Sequence, residues 1–176
     1  MLELVYETHS LTTDNEDGIA TGWLPGRLSA TGREQARLLG ERRRNDGIAA
    51  VFASDLGRAV ETAELAFGSS EIPILFDQRL RECDYGELNG APAADVTAVR
   101  AQHVDTPFPA GESYRQVVER TAEILGDLRR DWDGRRVCVI AHSANRWALD
   151  HLLHGTPLEE LVDAPFAWRE GWEYRL

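Results

Sequence analysis

Residues 136–143 read Arg-Val-Cys-Val-Ile-Ala-His-Ser, and this stretch decides the fold. Its apolar run, Val137 to Ala141, has the length of a strand, stops at His142, and gives way to a helical segment from Ala144 to His154. A strand without polar alternation is buried on both faces, the condition of a parallel sheet covered by helices on both sides. Reading back toward the N-terminus, Glu112-Ser113 opens a long helix to about Trp132, Asp105 to Gly111 is a loop, and a helix lies near Pro92 to Gln102. Before these come a strand at Ile72 to Phe76, a helix capped by Ser54-Asp55 and running through Phe67, and a strand at Ile48 to Ala53. A helix opened by Ser29 reaches about Arg44 with Ala36, Leu38 and Leu39 on its apolar side, and Asn45-Asp-Gly ends it. Leu2 to Glu7 is the first strand, followed by a polar loop from Thr8 to Gly26. On the other side, a short helix near Pro157 to Val162 precedes an aromatic-rich tail, Phe166 to Leu176, suited to an edge strand.

This alternation predicts an α/β fold of three layers (αβα), with helices on both faces of a mostly parallel central sheet. Ligands of such sheets bind beyond the carboxyl ends of the strands. Two of those ends carry histidine, His9 after the first strand and His142 after the fourth.

The 176 residues fit one domain, 1–176, which buries roughly 70% of its unfolded surface. Apolar content is 43% and charged content 28%, ordinary for a globular protein. The opening residues lack the basic start, long apolar stretch and small-residue cleavage site of a signal peptide, and no apolar run approaches a membrane span. With only Cys83 and Cys138, a disulfide framework is not expected, and a cytoplasmic location fits. The net charge of −11 argues against nucleic acid or an anionic membrane as partner. The sequence carries no signal for oligomeric state. All 19 basic residues are arginine, so a phosphate site here must use arginine, histidine or backbone N–H groups. Schiff-base and Walker-type lysine chemistry is excluded.

His9 stands among Thr8, Ser10, Thr12, Thr13 and Asn15, all able to donate hydrogen bonds. A lone loop histidine is usually a surface residue, but a second one at an equivalent strand end changes that reading. The helix after His142 presents N-terminal N–H groups that favour an anion. Arg58 lies near the start of its helix, where a cation opposes the helix dipole unless it meets an anion. Glu82 belongs to a dense charge run, Leu80 to Glu87, that also reads as a solvated loop.

Together these residues carry a resemblance. Thr8-His9-Ser10 with Thr12 and Asn15 is similar to the opening motif Arg-His-Gly-x-Thr-x-x-Asn of the histidine phosphatase superfamily, which includes phosphoglycerate mutases. Gly22-Trp-Leu24 and Leu28 to Ala36 follow at the family's usual spacing. Ser54-Asp55, Arg58-Ala59 and Glu61-Thr-Ala63 resemble its second phosphate-pocket motif. Leu80-Arg-Glu82 with Tyr85-Gly-Glu87 resembles its general-acid loop; Gly111-Glu-Ser113 and Val139 to Ser143 resemble its remaining signatures.

The resemblance implies a metal-independent phosphatase of a small phosphorylated metabolite, with a phosphoglycerate mutase-like fold and no cofactor. His9 would be the nucleophile, forming a phosphohistidine that water then hydrolyses. His142 and Arg58 would bind the phosphoryl oxygens, Glu82 would be the general acid and base, and Asn15, Ser10, Thr8 and Ser143 would lie in the substrate site. Family mutases are longer, with segments that close over the substrate, so hydrolysis is the favoured reaction.

Three departures bear on this expectation. Thr8 replaces the first-motif arginine, with Glu7 adding an anion beside it, and serines stand at 10 and 143 where the family has glycine. Losing one arginine from a phosphate clamp costs roughly 2–4 kcal/mol of transition-state stabilisation, about 30- to 1000-fold in rate. Arg27, Arg81 and Arg146 are candidate replacements, against the plainer reading of each as a surface residue. Two other functions stay open: a non-hydrolytic acid–base enzyme in the same pocket, and a catalytically weak anion- or partner-binding domain, the latter suggested by the aromatics from Phe166 to Tyr174. A trappable phosphohistidine separates the first reading from both.

Overall fold

The computed structural model describes residues 1–176 and runs β1 (Glu3–Thr8), α1 (Thr13–Asp17), α2 (Ala30–Arg43), β2 (Ile48–Ala53), α3 (Gly57–Phe67), β3 (Ile74–Phe76), α4 (Ala93–Val99), α5 (Tyr114–Asp131), β4 (Arg136–Ala141), α6 (Ser143–His154), α7 (Leu158–Asp163) and β5 (Trp172–Arg175). The five strands form one sheet in the order β3-β2-β4-β1-β5. The first four are mutually parallel, and β5 runs antiparallel along β1 at the edge. The expected mostly parallel α/β architecture is the one observed.

The apolar run that decided the reading divides between two cores because strand side chains alternate. Val137, Val139 and Ala141 face α5 and α6 with Leu2, Leu4, Tyr6, Leu125, Leu128 and Leu149. Cys138 and Ile140 face α2 and α3 with Leu39, Ala63 and Phe67. A third cluster, including Tyr85, Val96, Phe108, Tyr114 and Trp147, packs α4, α5, α6 and α7 together. Both cysteines are buried and free. No helix is long and apolar enough to cross a membrane.

Several boundaries differ from the expectation for local reasons. The Ser54 hydroxyl accepts from the Leu56 N–H in a tight turn, and α3 begins only at Gly57 with Leu56 as its cap. The Pro73 carbonyl accepts from Val51, but proline has no N–H to continue the ladder, and β3 runs from Ile74, not Ile72. Leu38 is 49% exposed while Ala36 and Leu39 are buried, because at 3.6 residues per turn it points away from the face they share. The polar loop after β1 hides a one-turn helix, α1, closed by a reciprocal capping box between Thr12 and Asn15. The helix expected from Pro92 to Gln102 is α4, capped by Pro92 and followed by a 3-10 turn to His103.

Candidate active site

The site follows from strand register. Thr8 pairs with Ala141 across β1 and β4, so the next residue of each strand emerges beside the other. The His9 N–H bonds the Ala141 carbonyl at 2.9 Å, and the two imidazole centroids lie 5.1 Å apart at an angle of 54°. β2 joins the same edge through the Ser54 N–H on the Ile140 carbonyl, which brings the start of α3, and with it Arg58, to the histidines.

Each group is held by its surroundings. His9 Nδ1 lies 2.8 Å from the Ser10 carbonyl. A carbonyl only accepts, so Nδ1 carries the proton and Nε2 keeps its lone pair. Ser10 is fixed in turn, its N–H bonding Thr62 Oγ1, whose own hydroxyl donates to the Arg58 carbonyl one turn back on α3. Beneath the pocket, Tyr6 donates its hydroxyl to the His142 carbonyl at 2.5 Å. His142 is fully buried, and neither of its ring nitrogens has a hydrogen-bond partner.

Arg58 is 3% exposed. Its Nη2 bonds the Gly22 carbonyl at 2.8 Å, while Nη1 is buried without a partner. Gly22 has a left-handed backbone (φ 54°), and a Cβ there would run into the Asn89 side chain, so only glycine presents this carbonyl. A buried, half-satisfied guanidinium costs free energy unless an anion completes it. Burial lowers the Arg58 pKa, against the opposing charge of Glu82. Burial, and then the Arg58 charge, push the His9 pKa down to about 3. The same two causes in the same order hold His142 well below the ordinary histidine range. Both imidazoles are therefore neutral at pH 7, and Arg58 is the cation beside them.

The favourable N-terminus of α6 is already occupied by a protein carboxylate. Glu82 Oε1 accepts from the Cys83 N–H at 2.8 Å and from the Ala144 N–H at 3.3 Å, and Oε2 accepts from the Ser143 hydroxyl at 3.0 Å. The Glu82 loop is itself pinned. Arg120 donates to the carbonyls of Arg79, Arg81 and Glu82 and pairs with Glu112, and the Trp23 indole bonds the Glu82 carbonyl. Gly111, packed against the Asp84 carbonyl with no room for a Cβ, lets Glu112 reach the Asp84 N–H, and Ser113 caps α5.

A cavity of about 380 Å³ opens above these groups. Thr8, His9, Asn15, Arg58, Glu82 and Ser143 all line it. Ser10 lines a smaller neighbouring space of about 60 Å³ shared with Thr8 and His9, and His142 lies under both without lining either. Asn15 spends its Oδ1 on the Thr12 N–H and has its amide nitrogen left to donate. The Thr8 hydroxyl is buried and unpartnered.

None of the three candidate replacement arginines reaches this cavity. Arg146 pairs with Asp150 and lies over the Trp172 and Tyr174 rings on the α6–β5 side. Arg81 makes a bidentate pair with Asp55 and covers Trp23, and Arg27 is exposed outside the lining. Glu7 does not line the main cavity; strand alternation turns it toward α2, where Arg43 and Arg42 engage it, and with Arg42 it borders the 60 Å³ space beside Thr8, His9 and Ser10. Trp172 and Tyr174 are core residues of β5; of the tail aromatics only Phe166 and Trp168 line the cavity.

Four parallel strands between helix layers, with two histidines and a buried arginine at their carboxyl edge, define a phosphoglycerate mutase-like α/β protein. The sequence profile of the histidine phosphatase superfamily (branch 1) matches residues 8–167, and the chain belongs to that superfamily. It is 33% identical over 176 residues to the 2,3-bisphosphoglycerate-dependent phosphoglycerate mutase of Methylobacterium sp., covering 90% of this chain and 83% of that protein. Its structure is similar to that of YhfR from Bacillus stearothermophilus, at 27% identity and TM-score 0.86, covering 98% of this chain and 90% of that one. It is also similar to a mycobacterial glucosyl-3-phosphoglycerate phosphatase solved with VO3, at 27% identity and TM-score 0.80, covering 91% and 85%. Of these three, one is named a mutase and one a phosphatase of phosphorylated metabolites.

Proposed function

We propose that this protein is a phosphomonoesterase that hydrolyses a small phosphorylated metabolite through a phosphohistidine on His9. The observation that carries the reading is the pairing of a free His9 Nε2 lone pair, fixed by the Nδ1 bond to Ser10, with the unpartnered Arg58 Nη1. The Nε2 lone pair attacks phosphorus as the ester P–O bond breaks, and Glu82 in its acid form gives its proton to the departing alcohol oxygen. A water then attacks the phosphohistidine, Glu82 takes that water's proton, and the P–N bond breaks to return neutral His9. Arg58 and a donor N–H of His142 stabilise the equatorial oxygens as charge shifts onto them. Asn15 and the buried, unpartnered Thr8 hydroxyl add neutral donors.

The cavity is open to water, which favours hydrolysis over return of the phosphoryl group to the same substrate. A panel of phosphorylated metabolites assayed for phosphate release tests the reading, with His9→Ala as control. Release from at least one ester, reduced about 10³-fold or more in His9→Ala, is expected. Release that survives the substitution contradicts it. A weakly catalytic anion-binding role is favoured by one observation, that Arg58 is the only guanidinium at the phosphate end; anion binding without phosphate release from any ester is its signature.

A further inference from the structure

The phosphate end of the cavity is sparsely charged. Arg58 faces it, both imidazoles are neutral, and the Glu82 carboxylate lies close by. A phosphate dianion therefore gains less there than in a clamp with two arginines, and binding energy has to come from the rest of the substrate.

The rest of the cavity is mostly apolar. Tyr85, Val96, Tyr114, Trp147, Phe166 and Trp168 form its main wall. Tyr85, Val96, Tyr114 and Trp147 are at most 8% exposed, and the three rings among them join Phe166 in one edge-to-face chain: Tyr85 on Phe108, Phe108 on Tyr114, Tyr114 on Trp147, Trp147 on Phe166. Such a wall is shaped by the core behind it and does not collapse when empty. Polar side chains beyond the phosphate end are four, Thr21, Gln35, Thr97 and Arg100, and Gln35 already accepts from the Leu11 N–H. The Thr21 hydroxyl is spent on Asp14. Arg100, the only other cation on the lining, donates to the Asp163 and Ala164 carbonyls and lies over the Trp147 ring.

Resting on the phosphomonoesterase reading, we infer that the alcohol part of the substrate is bulky and apolar, of the size of an aromatic ring or larger, and that it supplies most of the binding. A polar alcohol would bury its hydroxyls against rings without partners, whereas an apolar one removes its own surface and that of the wall from water.

The test compares phenyl phosphate, 1-naphthyl phosphate, glycerol 3-phosphate and 3-phosphoglycerate. Phenol and naphthol are leaving groups of nearly equal acidity, so a KM difference between their esters reports the wall and not the chemistry. The expected result is a KM for the naphthyl ester at least tenfold below that for phenyl, and kcat/KM for both three-carbon phosphates at least 100-fold below naphthyl. Phe166→Ala and the exposed-site variant Trp168→Ala should each shrink the naphthyl-over-phenyl preference, and the second disturbs no core residue. Separately, 1-naphthol without phosphate should quench the tryptophan fluorescence and saturate. Naphthol binding without turnover of any ester keeps the subsite and removes the phosphatase reading. Turnover with equal KM for naphthyl and phenyl, or with glycerol phosphate or phosphoglycerate preferred, overturns the inference and leaves the phosphatase reading standing.

Discussion

The Ser143 hydroxyl donates to Glu82 Oε2 at 3.0 Å, so the residue that departs from the family's closing glycine touches the proposed proton donor directly. With the Cys83 and Ala144 N–H groups on Oε1, the carboxyl is oriented from three sides. A neutral hydrogen bond is worth about 0.5–1.5 kcal/mol, so Ser143→Ala should lower turnover of alkyl phosphates about 2- to 12-fold. Glu82→Gln should lower it about 10²-fold or more, and both variants should lose less on nitrophenyl phosphate, which needs little protonation to leave. Equal losses on both ester types would move the acid role to another group.

Tyr6 is a positioning residue that reaches the site through the backbone. Its side chain is fully buried, and its hydroxyl satisfies the His142 carbonyl at the start of α6. Tyr6→Phe leaves that carbonyl short of a partner in a dry environment, so unfolding stability should fall by about 1–3 kcal/mol, read as a lower urea midpoint at unchanged m-value. An unchanged midpoint would mean that the hydrogen bond contributes nothing net.

The two depressed histidines make a signed prediction for acid stability. In the unfolded chain His9 titrates near 6.5, whereas in the folded protein it titrates near 3, so between those values the unfolded state binds more protons. The stability contribution from a neutral His9 is therefore complete above about pH 6.5 and is lost as pH falls toward 3, by up to about 1.4 kcal/mol per pH unit. His142 acts in the same direction. Urea midpoints of wild type and His9→Asn, compared from pH 7 to 4.5, should diverge with the variant losing less. Parallel curves would contradict the neutral state assigned to the half-buried His9.

Much of the scaffold was legible in the sequence because the signals were strong and local. Val137 to Ala141 could only be a doubly covered strand, and Ser29 and Ser113 cap their helices as their spacing indicated. The convergence of His9, Arg58 and Glu82 was also legible, because strand ends and motif order place them. The supports were not. Tyr6, Thr62 and Arg120 act across separations of 136, 52 and 38 residues, and nothing near them in sequence marks their partners. Arg146 failed as a replacement clamp because helix periodicity placed it near His142 in sequence but on the side facing β5. The apolar wall was missed for the same reason: its rings come from four separate segments.

Thr8 lines both the main cavity and its 60 Å³ neighbour, so a longer side chain there has space to enter. Glu7 and Arg42 line that smaller space too, and Glu7 is already paired with Arg42 and Arg43, so much of its charge is spent before a new guanidinium enters. Thr8→Arg should therefore raise kcat/KM on simple phosphoesters tenfold or more, and the double change Glu7→Val with Thr8→Arg reads how far Glu7 holds the new guanidinium back. A loss on all esters would show that the space at Thr8 serves the substrate and not a missing clamp.

The central claim is a covalent phosphoryl group on His9, and rapid acid-free quenching of the enzyme with an active phosphoester, followed by peptide mass spectrometry, tests it most directly. The account predicts an acid-labile, base-stable adduct of one phosphoryl group on His9, formed in Glu82→Gln as well and absent in His9→Ala. Full turnover with no adduct on His9, or with an adduct that persists in His9→Ala, would contradict it.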